Sequence, residues 1–169
     1  ANLTDVDGDT YTVKLTGPGT LTVTPSVNTT TGFIQALSYA GTTAASGISI
    51  SVQKAASGDG RVNLAGITGA SDLKSFTGLK VDVLDSSTLS LGSLKSLALG
   101  DIGGAVAITL QPAPLPGTAV AFRNFGVSPG SVFHALGRIT SFKTESLRGE
   151  LILEEGVDSI SAVSVPALE

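Results

Sequence analysis

Three carboxylates stand at alternate positions near the start of the chain, in Asp5-Val-Asp7-Gly-Asp9. Calcium takes roughly six to eight oxygen ligands, and alternate carboxylates in a loop can supply three of them. The EF-hand pattern is not met, because Gly8 stands fourth instead of sixth and no Glu follows at the twelfth place. Asp5, Asp7 and Asp9 are therefore candidate metal ligands and Ca2+ the candidate cofactor, with Asn2 or Asp59 as further oxygen donors. The plain alternative is a solvated acidic turn without metal.

Other residues offer less. His134 is the single histidine, and zinc needs several strong ligands. It lies in the alternating stretch Ser131-Val-Phe-His-Ala-Leu136 with no acid close in sequence, so it reads as a strand position. Glycoside cleavage needs paired carboxylates. Lys74, Lys80 and Asp82 share one repeat and Lys95 and Asp101 the next. Lys74 and Lys95 are expected to stack as a short basic row that Lys143 and Arg148 extend. Solubilising charge is the simpler reading. Sugar stacking would fall to Tyr11 and Tyr39, since Trp is absent. Asn2-Leu-Thr4 and Asn28-Thr-Thr30 match the glycosylation pattern and read as turn residues. No catalytic residue is assigned, and the chain leans away from enzyme function.

The elements that must position these residues repeat. Leu73-Lys-Ser-Phe76 returns 21 residues later as Leu94-Lys-Ser-Leu97, and the pattern comes back as Ile139-Thr-Ser-Phe142 and Val157-Asp-Ser-Ile160. Recurrence near about 20 residues marks a stacked repeat. The first residue and the last of each motif are expected to face inward. The gap from 94 to 139 fits one irregular coil inserted between two regular ones.

Short alternating runs separated by Gly, Ser and Asp corners fill residues 29–110, with no sustained helical period. Gln111-Pro-Ala-Pro-Leu-Pro-Gly117 cannot lie inside a sheet and reads as a projecting loop. Tyr11–Leu15 and Thr20–Thr24 flank the turn Thr16-Gly-Pro-Gly19 and read as a β-hairpin. The expected fold is all-β: a parallel β-solenoid (β-helix) of about four to five irregular coils with an N-terminal β-hairpin cap. The cap takes residues 1–28 and the solenoid 29–169. The alternative is a β-sandwich. Glu154, Glu155, Asp158 and Pro166 are expected to blunt the last edge.

Composition agrees. Charged residues are only 14%, and the ten Lys and Arg are scattered singly, which argues against a nucleic-acid surface. No apolar run reaches the length of a membrane span. Zero Cys excludes disulfides and thiolate metal sites. Ala1 opens the chain without Met, so a longer parent protein is expected.

The opening D-x-D-G-D-x-Y-T-V-K-L-x-G-P-G, from Asp5 to Gly19, resembles a segment of very long, secreted, repeat-rich bacterial proteins of unknown function. Gly58-Asp-Gly-Arg61, the Leu-Lys-Ser-apolar motif and Leu99-Gly-Asp-Ile102 extend the resemblance over residues 3–110. It implies a β-solenoid in a secreted or cell-surface bacterial setting and brings no catalytic residues. The expected function is a non-catalytic structural or adhesive module, with a carbohydrate-binding or carbohydrate-cleaving β-helix as the alternative. Expected partners are other modules of the same long protein or surface polymers, together with end-to-end self-association.

Overall fold

The computed structural model describes residues 2–28, 30–112, 117–126 and 130–164. The first strands are β1 (Asn2–Thr4), β2 (Thr10–Thr16), β3 (Thr20–Pro25), β4 (Ile34–Ala40), β5 (Gly47–Gln53), β6 (Val62–Thr68), β7 (Leu73–Gly78) and β8 (Val81–Leu91). The rest are β9 (Leu94–Ile102), β10 (Ala107–Leu110), β11 (Thr118–Phe125), β12 (Val132–Ala135), β13 (Ile139–Leu147), β14 (Glu150–Leu153) and β15 (Ile160–Ser164). No helix occurs among the described residues.

Two ladders run the length of the molecule. On one, β5, β7, β9, β11, β13 and β15 pair in parallel, each with the next. On the other, β4, β6, β8, β10, β12 and β14 do the same. This is a β-solenoid of stacked parallel coils, and the parallel order rules out the sandwich. The longer strands turn a corner midway: Val83 in β8 pairs with Ile102 in β9, while Thr88–Leu91 pair with β10.

The repeat motif lands in register. Leu73 pairs with Leu94 and Phe76 with Leu97. Leu97 then meets Val120, and Val120 meets Phe142, so β11 supplies the inserted irregular coil. On the other ladder Leu37, Ile67, Leu89, Ile108, Phe133 and Leu151 form a matching inward stack. Parallel register stacks these apolar side chains at about 4.8 Å, whatever the length of the coil between them, which builds a continuous narrow core. Phe122, Phe125, Phe133 and Phe142 all pack on one another, with ring centroids 5.4–6.3 Å apart.

Three expectations need correction. Val157 and Ile160 do align with Ile139 and Phe142, but Ile160 is 49% exposed and Val157 only partly buried. Nothing among the described residues lies over the last coil, so its inward positions stay wet. Second, Tyr11–Leu15 and Thr20–Thr24 do not pair with each other. The cap is made of hairpins, but β2 takes β1 and β5 as antiparallel neighbours and β3 takes β4. The turn at Gly17 and Gly19, both with positive φ, instead carries the chain from one ladder to the other. Tyr11 and Val13 cover one side of the core while Leu21 and Val23 pack on another. A simple hairpin would cover one side only.

Third, the run that starts at Val81 does not end at the Asp85 and Ser86 corner. It continues as β8 through a corner at Ser86, whose φ is 59°. Residues 113–116 of the expected loop lie outside the described residues, as do Val165 and Pro166.

Candidate functional site

The acidic opening folds into a clasp on the cap. β1 and β2 are joined by residues 5–9, where the amide of Asp5 donates to the carbonyl of Asp9 at 2.7 Å. Gly8, with φ 97°, makes the bend. The loop docks on Ala55–Arg61, which follows β5. The buried Asp9 carboxylate accepts from the Ala55 amide at 2.6 Å through Oδ1 and from the Gly60 amide at 2.5 Å through Oδ2. Asp7 Oδ2 accepts from the Asp59 amide at 3.0 Å, and the Ser57 hydroxyl donates to the Asp7 carbonyl at 3.0 Å. A Cβ on Gly58 would overlap the Asp9 carboxylate, so only glycine allows this approach. The two motifs Asp5–Asp9 and Gly58–Arg61 thus meet face to face.

Metal-ligand geometry gathers a different trio from the one spacing suggested. Carboxylate oxygens of Asp7, Asp9 and Asp59 lie within 4.8 Å of one another. Asp5 is buried beside them, and its Oδ1 accepts from the Val6 amide at 2.6 Å. Asn2 is engaged elsewhere, accepting from the Thr12 hydroxyl at 2.7 Å. The environments of Asp9 and Asp5 push in opposite directions. The Ala55 amide, aided by Gly60 and Arg61, holds Asp9 below the usual aspartate value despite its burial. Burial pushes Asp5 up against the pull of the Val6 amide, and the charges of Asp7, Asp59 and Asp9 add to the rise.

Several other charges are tied from coil to coil. Arg61 donates through Nε and Nη2 to both oxygens of Asp82, and the Asp101 amide donates to the same carboxylate at 2.7 Å. Asp101 in turn takes Arg123 and, at 2.8 Å, the Asn124 side-chain amide. Asp85 accepts from the Gly104 amide at 2.7 Å, and Asp72 accepts from the Ser93 hydroxyl at 2.6 Å. His134 meets Glu154 at 2.8 Å, and Arg138 meets Asp158. Opposite charges at the coil spacing were the sequence signal for these pairs.

Other candidates are dispersed. Lys74 and Lys95 are register neighbours and exposed. Lys143 pairs with Ala121, three places along the ladder, and Arg148 follows the end of β13, so neither extends the row. The Lys80 ammonium caps the Val52 carbonyl at 3.3 Å. Both tyrosines are buried, and that burial raises each phenol to about 12. Tyr11 donates to the Gly32 carbonyl at 2.9 Å, and Tyr39 donates to Gly69 while accepting from the Gly92 amide. Neither ring can stack on a sugar. Asn28 Oδ1 accepts from the amides of Thr30 and Thr31, as a turn residue does.

No protein-family model, curated protein or solved structure matches the chain.

Proposed function

We propose that this chain is a non-catalytic structural or adhesive module of a secreted or cell-surface protein. The observation that carries the reading is the use of its carboxylates. Asp72, Asp82, Asp85, Asp101, Glu154 and Asp158 each bond to a neighbouring coil. A glycosidase needs two carboxylates aimed at one substrate bond, and here such groups hold the stack together. The outward side of the second ladder supports the same reading. Thr22, Ser38, Thr68, Ser90 and Thr109 follow one another in register and form a row of hydroxyls on short side chains. Such a surface suits a stiff spacer.

The test is small-angle scattering together with pull-down on insoluble polysaccharides. A rigid elongated particle that leaves the polysaccharides unbound fits the module. Saturable depletion onto one polysaccharide, abolished by Lys74→Ala, would replace it with the carbohydrate-binding alternative.

The clasp adds a ligand proposal to this reading. Asp7, Asp9 and Asp59 would hold calcium, the hard cation that accepts irregular oxygen sets. Bound there, it would neutralise crowded charge and tie residues 5–9 to 55–61 more firmly. The calcium titration in the Discussion tests it.

A further inference from the structure

The chain contains two Asp-Gly bonds, Asp7-Gly8 and Asp59-Gly60, and the clasp brings them together. Asp-Gly is a dipeptide open to internal cyclisation, because glycine places no side chain beside the attacking nitrogen. The fold treats the two bonds differently. Gly60 is buried, and its amide donates to the buried Asp9 carboxylate at 2.5 Å, a charge-assisted bond. The Arg61 amide holds the Asp59 carboxylate at 2.7 Å. Gly8 is exposed, and its amide donates to a neutral main-chain carbonyl, that of Asp5, at 3.2 Å. The Asp7 carboxylate is held by the Asp59 amide at 3.0 Å and by the Asp9 amide at 3.2 Å. Every bond to the reacting groups of Asp7-Gly8 is longer than either one at Asp59-Gly60.

We propose that Asp7-Gly8 is a self-modification site of the folded chain, where aspartate converts to isoaspartate, and that Asp9 shields Asp59-Gly60 from the same reaction. The Gly8 nitrogen gives its proton to solvent base and attacks Cγ of Asp7 in its carboxylic-acid form. The new N–Cγ bond closes a five-membered succinimide, and the Cγ hydroxyl leaves with that proton as water. A second water then opens the ring. Cleavage of the N–Cγ bond restores Asp7. Cleavage between the nitrogen and the original main-chain carbonyl leaves the chain running through Cγ. One water leaves and one returns, and nothing is oxidised or reduced. At Asp59-Gly60 the attacking nitrogen must first leave a buried carboxylate, so the reaction there waits for the clasp to open locally.

The product does not fit the clasp. Isoaspartate at residue 7 adds a methylene to the main chain inside a loop that the Asp5 amide and the Asp9 carbonyl close at 2.7 Å. It also leaves the free carboxylate directly on Cα, one carbon short of the side chain that now meets the Asp59 amide. The modified loop therefore loosens its hold on residues 55–61. This inference rests on neither the structural role nor the calcium proposed above.

Peptide mapping that separates aspartate from isoaspartate tests it, on the chain incubated in EDTA at neutral pH. In the folded chain isoaspartate should accumulate at residue 7 several-fold faster than at residue 59. In urea the two rates should converge, because both bonds are then equally free. Asp9→Ala should raise conversion at residue 59 to the level of residue 7. Should that variant fail to fold, Asp9→Asn, which keeps one acceptor oxygen, carries the same expectation. Ser57→Ala removes the hydroxyl that meets the Asp7 carbonyl and leaves the Gly60 amide in place, so it should not speed residue 59. A folded chain that converts residue 59 as fast as residue 7 overturns the proposal. So does the same preference for residue 7 in urea, or a folded chain without isoaspartate at residue 7 while the unfolded chain accumulates it. An Asp9 variant that leaves residue 59 unconverted, or a Ser57→Ala chain that converts it equally fast, overturns the shielding by Asp9.

Discussion

Arg61 and Asp82 lie 21 residues apart in sequence and one coil apart in space, and the guanidinium grips both oxygens of the carboxylate. The Asp101 amide, from the coil beyond, donates to the same side chain. One half-buried carboxylate therefore links three successive coils. Asp82→Ala should destabilise the fold by about 1.5–3 kcal/mol, the range for hydrogen bonds to a charged group. Asp82→Asn should recover part of that loss, because it retains an acceptor for Asp101. Urea melts of both variants decide it; equal losses would show that the Asp101 contact contributes nothing.

The clasp should give the stability profile two opposed limbs. Asp9 is held below the ordinary 3.8. Its contribution is complete above that value and is lost as pH falls through the lowered pKa. Asp5 is raised above 3.8. Its protonated form suits the fold, and that advantage is lost as pH rises through the raised pKa. Asp5→Asn should therefore raise the melting temperature at neutral pH, and Asp9→Asn should lower it and flatten the acid limb. Melting temperature measured against pH checks both; profiles parallel to the parent would refute the assignment.

Calcium should raise the melting temperature slightly. Extracellular sites bind at roughly 0.1–1 mM, so millimolar calcium adds only about 1 kcal/mol through binding to the folded form. EDTA, Asp7→Ala and Asp59→Ala should each remove the increment. A curve unchanged up to about ten millimolar calcium, well above the weakest such affinity, would leave the clasp as a metal-free acidic turn.

The corner between β9 and β10 holds Ala105 at φ 53°, and the preceding coil holds Ser86 at φ 59°. Left-handed backbone costs a side-chain-bearing residue about 1–2 kcal/mol. Glycine removes that strain but adds freedom to the unfolded chain, about 0.4–1 kcal/mol. Ala105→Gly should thus stabilise by about 0.5–1 kcal/mol, and Ala105→Val should destabilise. Denaturant midpoints measure the sign, and a destabilising glycine would contradict it.

Inward position should matter only where a further coil covers it. Phe142→Ala should cost about 3–5 kcal/mol, since Phe142 is fully buried among three other rings. Ile160→Ala, one coil along in the same row, should cost well under half of that. Similar losses at the two sites would mean that the last coil is as dry as the others.

The ladder through Leu73, Leu94, Ile139 and Val157 was legible because each opens the same apolar-x-Ser-apolar motif, although the steps between them vary. Ile48 and Val120 join the same row as Phe76 and Leu97 but sit in coils of other lengths without the Leu-Lys-Ser context. Their register is visible only once the strands pair. The cap was legible as strands and misread as to partners. Alternation specifies which face of β2 is buried, and the choice between β3 and β5 as neighbour depends on the whole core. In the clasp, Asp7 and Asp9 declared themselves by spacing. Asp59 joins them across about 50 residues of chain, and that distance follows from the β5 turn rather than from any local pattern.

The antiparallel cap at one side and the half-exposed coil at β15 on the other also give the described stack a direction under load. A stack whose coils touch only their neighbours comes apart from its ends. Among the described residues the coil at β15 has one neighbour and a partly wet interior, so tension applied at residues 2 and 164 peels it first. Its departure leaves β13 as the new bare rim, and the event repeats toward β5. The unravelling front stops at the antiparallel cap, where the clasp ties residues 5–9 to 55–61 and two strands must shear together. Stretched between residues 2 and 164, the stack should therefore lengthen in coil-sized steps from one side only and yield last at the cap.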